Sequence, residues 1–113
     1  MFLGGAIMNI QFKKGALEMI VLLIIKKKPQ YGYSLVQNIS KHMVIAEGTV
    51  YPLLRRLVKE NCLTTYYEPS TEGPARKYYE LTREGNLRLQ QLKSEWHEFV
   101  SIVKIFIEES EHE

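Results

Sequence analysis

One cysteine, one tryptophan and four prolines are all that this 113-residue chain holds of those types, and each scarcity removes a class of protein. The lone Cys62 excludes an intramolecular disulfide framework and points to a reducing compartment. Flanked by Asn61 and Leu63 with no catalytic partner beside it, it suits a small buried filler better than a nucleophile. His42, His97 and His112 lie too far apart for a metal-ligand motif. Gly4-Gly5 and Gly32 form no phosphate-cradling loop, and no serine sits in a nucleophile elbow. These gaps predict no enzyme, no metal and no cofactor. Long apolar runs are missing too. Met19 to Ile25 is a run of seven apolar residues, where a membrane span needs roughly 20. Glu18 interrupts it before, and Lys26-Lys27-Lys28 stand where a signal peptide would need small residues. The expectation is a buried first helix in a cytoplasmic protein without a membrane segment. Met1 to Ile7 reads as a loose extension, with Met8 as a second candidate start.

What is present is unevenly placed. The net charge is only +2, but residues 1–104 carry all 15 Lys and Arg, giving +6, while Glu108, Glu109, Glu111 and Glu113 give −4. A basic body with an acidic tail is compatible with an anionic partner, as is a mixed solvated surface. The length fits one domain, or one domain plus a protruding helix.

Leu17, Ile20, Val21, Ile24 and Ile25 repeat at helical spacing, predicting a helix from Gly15 to Lys27 that Pro29 ends. Tyr31-Gly32-Tyr33-Ser34 opens a second helix, capped at or just before Ser34 and running to about His42. After a short corner, Glu47-Gly48-Thr49 starts a third, with Pro52 in its first turn, Val50, Leu53, Leu54 and Leu57 inward, and Asn61 at its exit. Leu63–Tyr67 and Lys77–Leu81 are rich in β-branched and aromatic residues and predict a two-stranded ribbon. Pro69, Gly73 and Pro74 predict a flexible tip between them. Thr82 caps a last helix whose Leu89, Leu92, Trp96, Phe99, Val103 and Phe106 alternate in steps of 3 and 4, a heptad seam. Such a helix, from about Arg83 to Glu108, spans roughly 39 Å and offers more apolar stripe than a three-helix core can cover. The surplus predicts a homodimer.

The fold class is therefore mainly α with a two-stranded β-wing: a winged helix-turn-helix over residues 12–82 and a C-terminal dimerisation helix over 83–108. An N-terminal extension (1–11) and an acidic tail (109–113) complete the chain. In such a fold the third helix enters the major groove of double-stranded DNA and the wing tracks the backbone. Thr49, Tyr51 and Pro52 sit at the reading end of that helix, and Arg55 and Arg56 lie opposite its apolar face. Glu47 can act there or simply complement the helix dipole. Arg76 and Lys77 begin the return strand and point to opposite faces, leaving one for DNA and one for a cross-strand pair with Glu68 or Glu80. Tyr31 and Tyr33 are candidates for core rings or for phosphate contacts through a hydroxyl.

Three stretches together resemble the PadR family of bacterial transcriptional regulators: Tyr31-Gly32-Tyr33-Ser34-Leu35; Glu47-Gly48-Thr49-Val50-Tyr51-Pro52-Leu53-Leu54-Arg55-Arg56-Leu57; and Gly73-Pro74-Ala75-Arg76-Lys77-Tyr78-Tyr79-Glu80-Leu81-Thr82-Arg83-Glu84-Gly85. The match runs from about Phe12 to Ile107. The resemblance implies a winged-helix homodimer that binds a partly palindromic operator and usually represses. A single C-terminal helix is similar to the small members. Some of those bind planar aromatic small molecules at the dimer centre, between tryptophans of the last helix, and Trp96 matches that position. Core packing is its other role. A winged-helix module that binds another protein, and a ligand-binding dimer without operator function, remain the rival readings. Salt-dependent, sequence-selective binding of duplex DNA separates them from a regulator.

Overall fold

Apolar periodicity that switches from helical to alternating and back again fixes the order of elements. The computed structural model describes residues 10–112: α1 (Ile10–Lys27), β1 (Gln30–Tyr31), α2 (Gly32–Ser40), α3 (Glu47–Lys59), β2 (Leu63–Ser70), β3 (Gly73–Leu81) and α4 (Arg83–Glu111). The possible start at Met8 and the stretch Met1 to Ile7 lie outside the described residues. Leu17, Val21, Leu22 and Ile25 of α1, Leu35, Val36 and Ile39 of α2, and Val50, Leu54 and Leu57 of α3 close one core. Cys62, Leu63, Tyr79 and Leu89 complete it.

Several boundaries differ from the expected ones. Backbone helix in α1 begins at Ile10, ahead of Gly15. At α2, Tyr31 is the N-cap and offers no side-chain hydrogen bond. Ser34 is no cap: its hydroxyl shares its one proton between Gln30 Oε1 at 2.8 Å and the Tyr31 carbonyl at 2.9 Å. The helix ends at Ser40 because the His42 and Met43 amides both turn back to the Ile39 carbonyl. Leu53 is half-buried, at the edge of the α3 core face.

The ribbon is longer than expected and has company. Gln30 and Tyr31 pair with Tyr79 and Tyr78, so the sheet has three antiparallel strands in the order β1-β3-β2. Two residues before a glycine give no periodicity, which hides β1 from the sequence. Pro69 and the Gly73-Pro74 pair do not break the strands: β2 reaches Ser70, β3 starts at Gly73, and Thr71-Glu72 turn between them. Pro69 is tolerated on an edge strand, where the pairing register shifts between Glu68 and Ser70.

Two caps join α3 to the last helix. Asn61 adopts φ 65°, and the Asn61 and Cys62 amides bond to the Val58 and Leu57 carbonyls at 3.0 and 2.9 Å, a Schellman ending. Thr82 then accepts from the Gly85 amide at 2.9 Å and donates to the Asn61 carbonyl at 2.6 Å. Gly85 lies so close to the Cys62 carbonyl that a Cβ there would collide with backbone. α4 thereby starts against the core through Leu89, then leaves it: from Phe99 to Ile107 its large apolar residues are exposed.

Candidate nucleic-acid interface

α3 is amphipathic, and its buried Val50, Leu54 and Leu57 decide what the other side can present. At 100° per residue, Gly48, Pro52, Arg55 and Lys59 form the row farthest from the core, and all four are exposed. Thr49 and Arg56 flank that row on the side of α1, where they share a hollow with Leu17, Glu18, Pro52 and Leu53. Tyr51 flanks it on the side of the wing. A Cβ on Gly48 would meet nothing, so the helix start is open to close approach by a bulky partner. Lys59 received no role from the sequence, yet the one-turn spacing from Arg55 places it in the same row.

The two arginines have separate environments. Arg56 donates to Glu18 at 2.7 Å and Glu60 at 3.0 Å, while Arg88 of α4 donates to the same two carboxylates at 2.7 and 3.2 Å. Two cations and two anions thus link α1, α3 and α4. Burial alone would raise the Glu18 carboxyl, but the hydrogen bonds and charges of Arg56 and Arg88 outweigh it and hold the group below its ordinary value. Arg55 takes part in no such pair among the described residues.

The sign of this linkage sets a test. A depressed carboxylate stabilises the fold above its unfolded-state pKa, and the contribution is lost as pH falls through the folded value. Partly exposed pairs contribute about 0.2–1 kcal/mol each after screening. Glu18→Gln should therefore lower stability by about 1 kcal/mol at neutral pH. The difference from the parent chain should shrink in acid below about pH 4. Urea denaturation at the two pH values checks it; a pH-independent difference would assign Glu18 a packing role.

The wing divides Arg76 from Lys77 as strand alternation requires. On one face Tyr66 stacks on Tyr78 at 5.5 Å, Tyr78 meets Tyr31 at 5.4 Å, and Tyr31 meets Tyr33 at 6.2 Å. The Arg76 guanidinium lies 4.7 Å from the Tyr31 ring centre, a cation–π contact. Tyr33 is 54% exposed, so it is not a core ring; Tyr31 is half-buried. On the other face Lys77 lies 5.7 Å from the ring of buried Tyr79. Glu68 stands opposite Arg76 in the register, but neither Arg76 nor Lys77 makes a salt bridge among the described residues.

Tyr79 marks where α3 and the wing meet. Burial pushes its hydroxyl upward, Tyr51 and Tyr67 add to the rise, and the charge of Arg55 opposes it. The charge of Arg55 is thus felt at the Tyr79 hydroxyl, and Lys77 lies over its ring. Tyr51 is wedged over Gly32, where a Cβ would strike its ring; burial, then the charge of Glu47, pushes its hydroxyl pKa upward. α3 packs against β2, and the exposed Arg55 and Lys59 of the helix and Tyr67 and Lys77 of the wing offer charges and a ring suited to phosphates and base edges.

The expected seam residues of α4 fall into two groups. Leu89 is fully buried in the chain's own core and Leu92 is packed against it, whereas Phe99, Val103 and Phe106 are exposed. Trp96 lines a shallow hollow of about 140 Å³ with Met19, Leu92, Glu95 and Phe99. Cys62 is buried, which raises its thiol pKa. Among the described residues no helix is long and apolar enough to cross a membrane.

Comparison with known proteins agrees with this geometry. Residues 21–91 match the model of the transcriptional regulator PadR-like family. A PadR-like transcriptional regulator from Bacillus cereus is 36% identical, with a TM-score of 0.78 over 86% of this chain and 96% of that one. A Streptococcus transcriptional regulator is 37% identical, with a TM-score of 0.78 over 87% and 98%. An uncharacterized protein from Lysinibacillus sphaericus is 36% identical over 84% of this chain and 91% of its own length. The fold and the family match lead to one assignment: this chain belongs to the PadR-like family of transcriptional regulators.

Proposed function

We propose that the chain is a cytoplasmic repressor that binds a partly palindromic operator as a homodimer. The observation that carries this reading is the exposed row Gly48, Pro52, Arg55 and Lys59 on α3, which packs against β2 of the wing, with Lys77 exposed on the neighbouring strand. In this reading Arg55 contacts base edges or phosphate, Thr49, Tyr51 and Pro52 approach the groove floor, and Lys77 holds the backbone beside the wing. Arg76, Tyr31 and Tyr33 reach the flanking phosphate from the other face of the wing, and Arg56 chiefly fixes the pose of α3 through Glu18 and Glu60.

The test is binding to duplex DNA taken from upstream of its own coding region, titrated with salt. The logarithm of affinity should fall linearly with the logarithm of salt concentration, with a slope of about −0.9 per phosphate neutralised. The palindromic duplex should win over a scrambled one. Equal, salt-insensitive binding of both would favour a protein-docking role for the winged helix.

A second property rests on the hollow at Trp96. Planar aromatic molecules fit between two such hollows brought together at a dimer axis, because offset aromatic stacking adds about 0.5–1.5 kcal/mol beyond area burial. Glu95 and the indole face favour a cation there. Met19, which lines the hollow, adjoins Glu18, which holds Arg56 of α3; this gives the ligand a physical route to the reading helix. Planar cationic dyes should quench the single tryptophan saturably and weaken operator binding over the same concentration range. Quenching without loss of DNA affinity would make the hollow a pocket and not a switch.

A further inference from the structure

We propose that the acidic end of α4 is a clasp. In the homodimer, Glu108, Glu109 and Glu111 of one protomer dock on Lys26, Lys27 and Lys28 at the end of the partner's α1, and the apolar turn before them covers the groove between the partner's α1 and α2. This inference rests on the homodimer reading and adds the path of the helices.

Within one chain the two surfaces stay apart. α1 and α4 run antiparallel: Lys26 Nζ donates to Asn86 Oδ1 at 2.8 Å, while Met19, seven positions earlier in the chain, lies against Leu92 and Trp96. From Asn86 to Glu109 the helix climbs about 35 Å at 1.5 Å per residue. The tail therefore points away from its own lysines. A two-fold axis reverses this. When two copies of α4 cross antiparallel with Trp96 and Phe99 at the centre, Glu109 of one lies alongside Asn86 of the other, and Asn86 is the residue that holds Lys26.

The chemistry on the two sides is complementary. Lys26, Lys27 and Lys28 are exposed, and among the described residues none forms a salt bridge. Lys27 and Lys28 share a basin with Lys41 and His42, and beside it Ile20, Leu23, Ile24, Ile39 and Met43 line an apolar groove. α4 presents the matching order, exposed Ile105, Phe106 and Ile107 followed by the glutamates. Those glutamates stand at the negative end of a long helix with no basic residue in its last turn, where anions are destabilising. Cations from a partner relieve that arrangement.

The test uses two full-length variants. Lys27→Cys in one chain and Glu109→Cys in another, mixed and mildly oxidised, should give a covalent pair containing one of each; Cys62 is buried and bystanding. Separately, Lys27→Glu with Lys28→Glu should raise the dimer dissociation constant at least tenfold in low salt. Mixing that variant with Glu108→Lys, Glu109→Lys should restore association, and about 1 M salt should erase the difference. A sedimenting dimer that neither cross-links nor responds to charge reversal overturns the clasp and leaves the homodimer standing. A parent chain that sediments as a monomer overturns both.

Discussion

Arg55→Ala should abolish operator binding under conditions where Arg56→Ala leaves it within a few-fold of the parent chain. A bidentate base contact contributes about 1–3 kcal/mol of discrimination. A two-fold dimer loses the contact twice, so the expected loss is about 2–6 kcal/mol, or roughly 30-fold to beyond ten-thousand-fold. If Arg55 meets phosphate instead, the salt slope should fall by about 1 per half-site. Arg56 differs because its guanidinium is already held by Glu18 and Glu60. Its removal should cost stability, about 1 kcal/mol after screening, and little direct contact. Gel-shift titration of both variants, with urea denaturation alongside, separates contact from scaffold. The opposite order, with Arg56→Ala abolishing binding and Arg55→Ala neutral, would move the reading face toward α1.

That distinction also shows where sequence reasoning ran out. Adjacent arginines on one helix look equivalent by spacing, since both lie away from Leu54 and Leu57. What separates them is Glu18, 38 positions away in the chain, and no local pattern announces such a partner. The elements themselves were largely legible, because helical and alternating apolar periods, the Asn61 exit and the Thr82 cap are local signals. β1 was not: Gln30 and Tyr31 form a strand only because β3 lies beside them. The wing was undersold for a similar reason. Pro69 and Pro74 disfavour a central strand, but Pro69 lies on the edge strand β2, Pro74 sits at the tip of β3 beyond its pairing with β1, and neither has a partner in the register. Leu89 had the right spacing for the seam, yet fold-level packing draws it into the chain's own core. Period identifies a face; only tertiary structure says what the face meets.

The larger remaining effect concerns that uncovered face. Phe99, Val100, Ile102, Val103, Phe106 and Ile107 are all exposed. At 100° per residue they span about 160° of the α4 surface, wider than the strict two-helix seam. Ile105 and Leu87, also exposed, share one azimuth beyond the edge of that stripe; Leu87, five turns before Ile105 at the start of the helix, provides a control. Phe99→Glu should convert the protein to monomer without unfolding it, because the side chain is not part of the chain's own core. Burying a phenylalanine side chain contributes about 1.5–3 kcal/mol, and symmetry doubles the loss. A glutamate in the same place adds the cost of a buried, unpaired charge. The dimer dissociation constant should therefore rise at least about 150-fold, and operator affinity should fall with it because one reading head must bind alone. Leu87→Glu should leave both properties unchanged. Analytical ultracentrifugation at micromolar concentration, paired with circular dichroism, decides the matter. A folded Phe99→Glu chain that still sediments as a dimer would show that two copies meet elsewhere, and the apolar end of α4 would then need another partner.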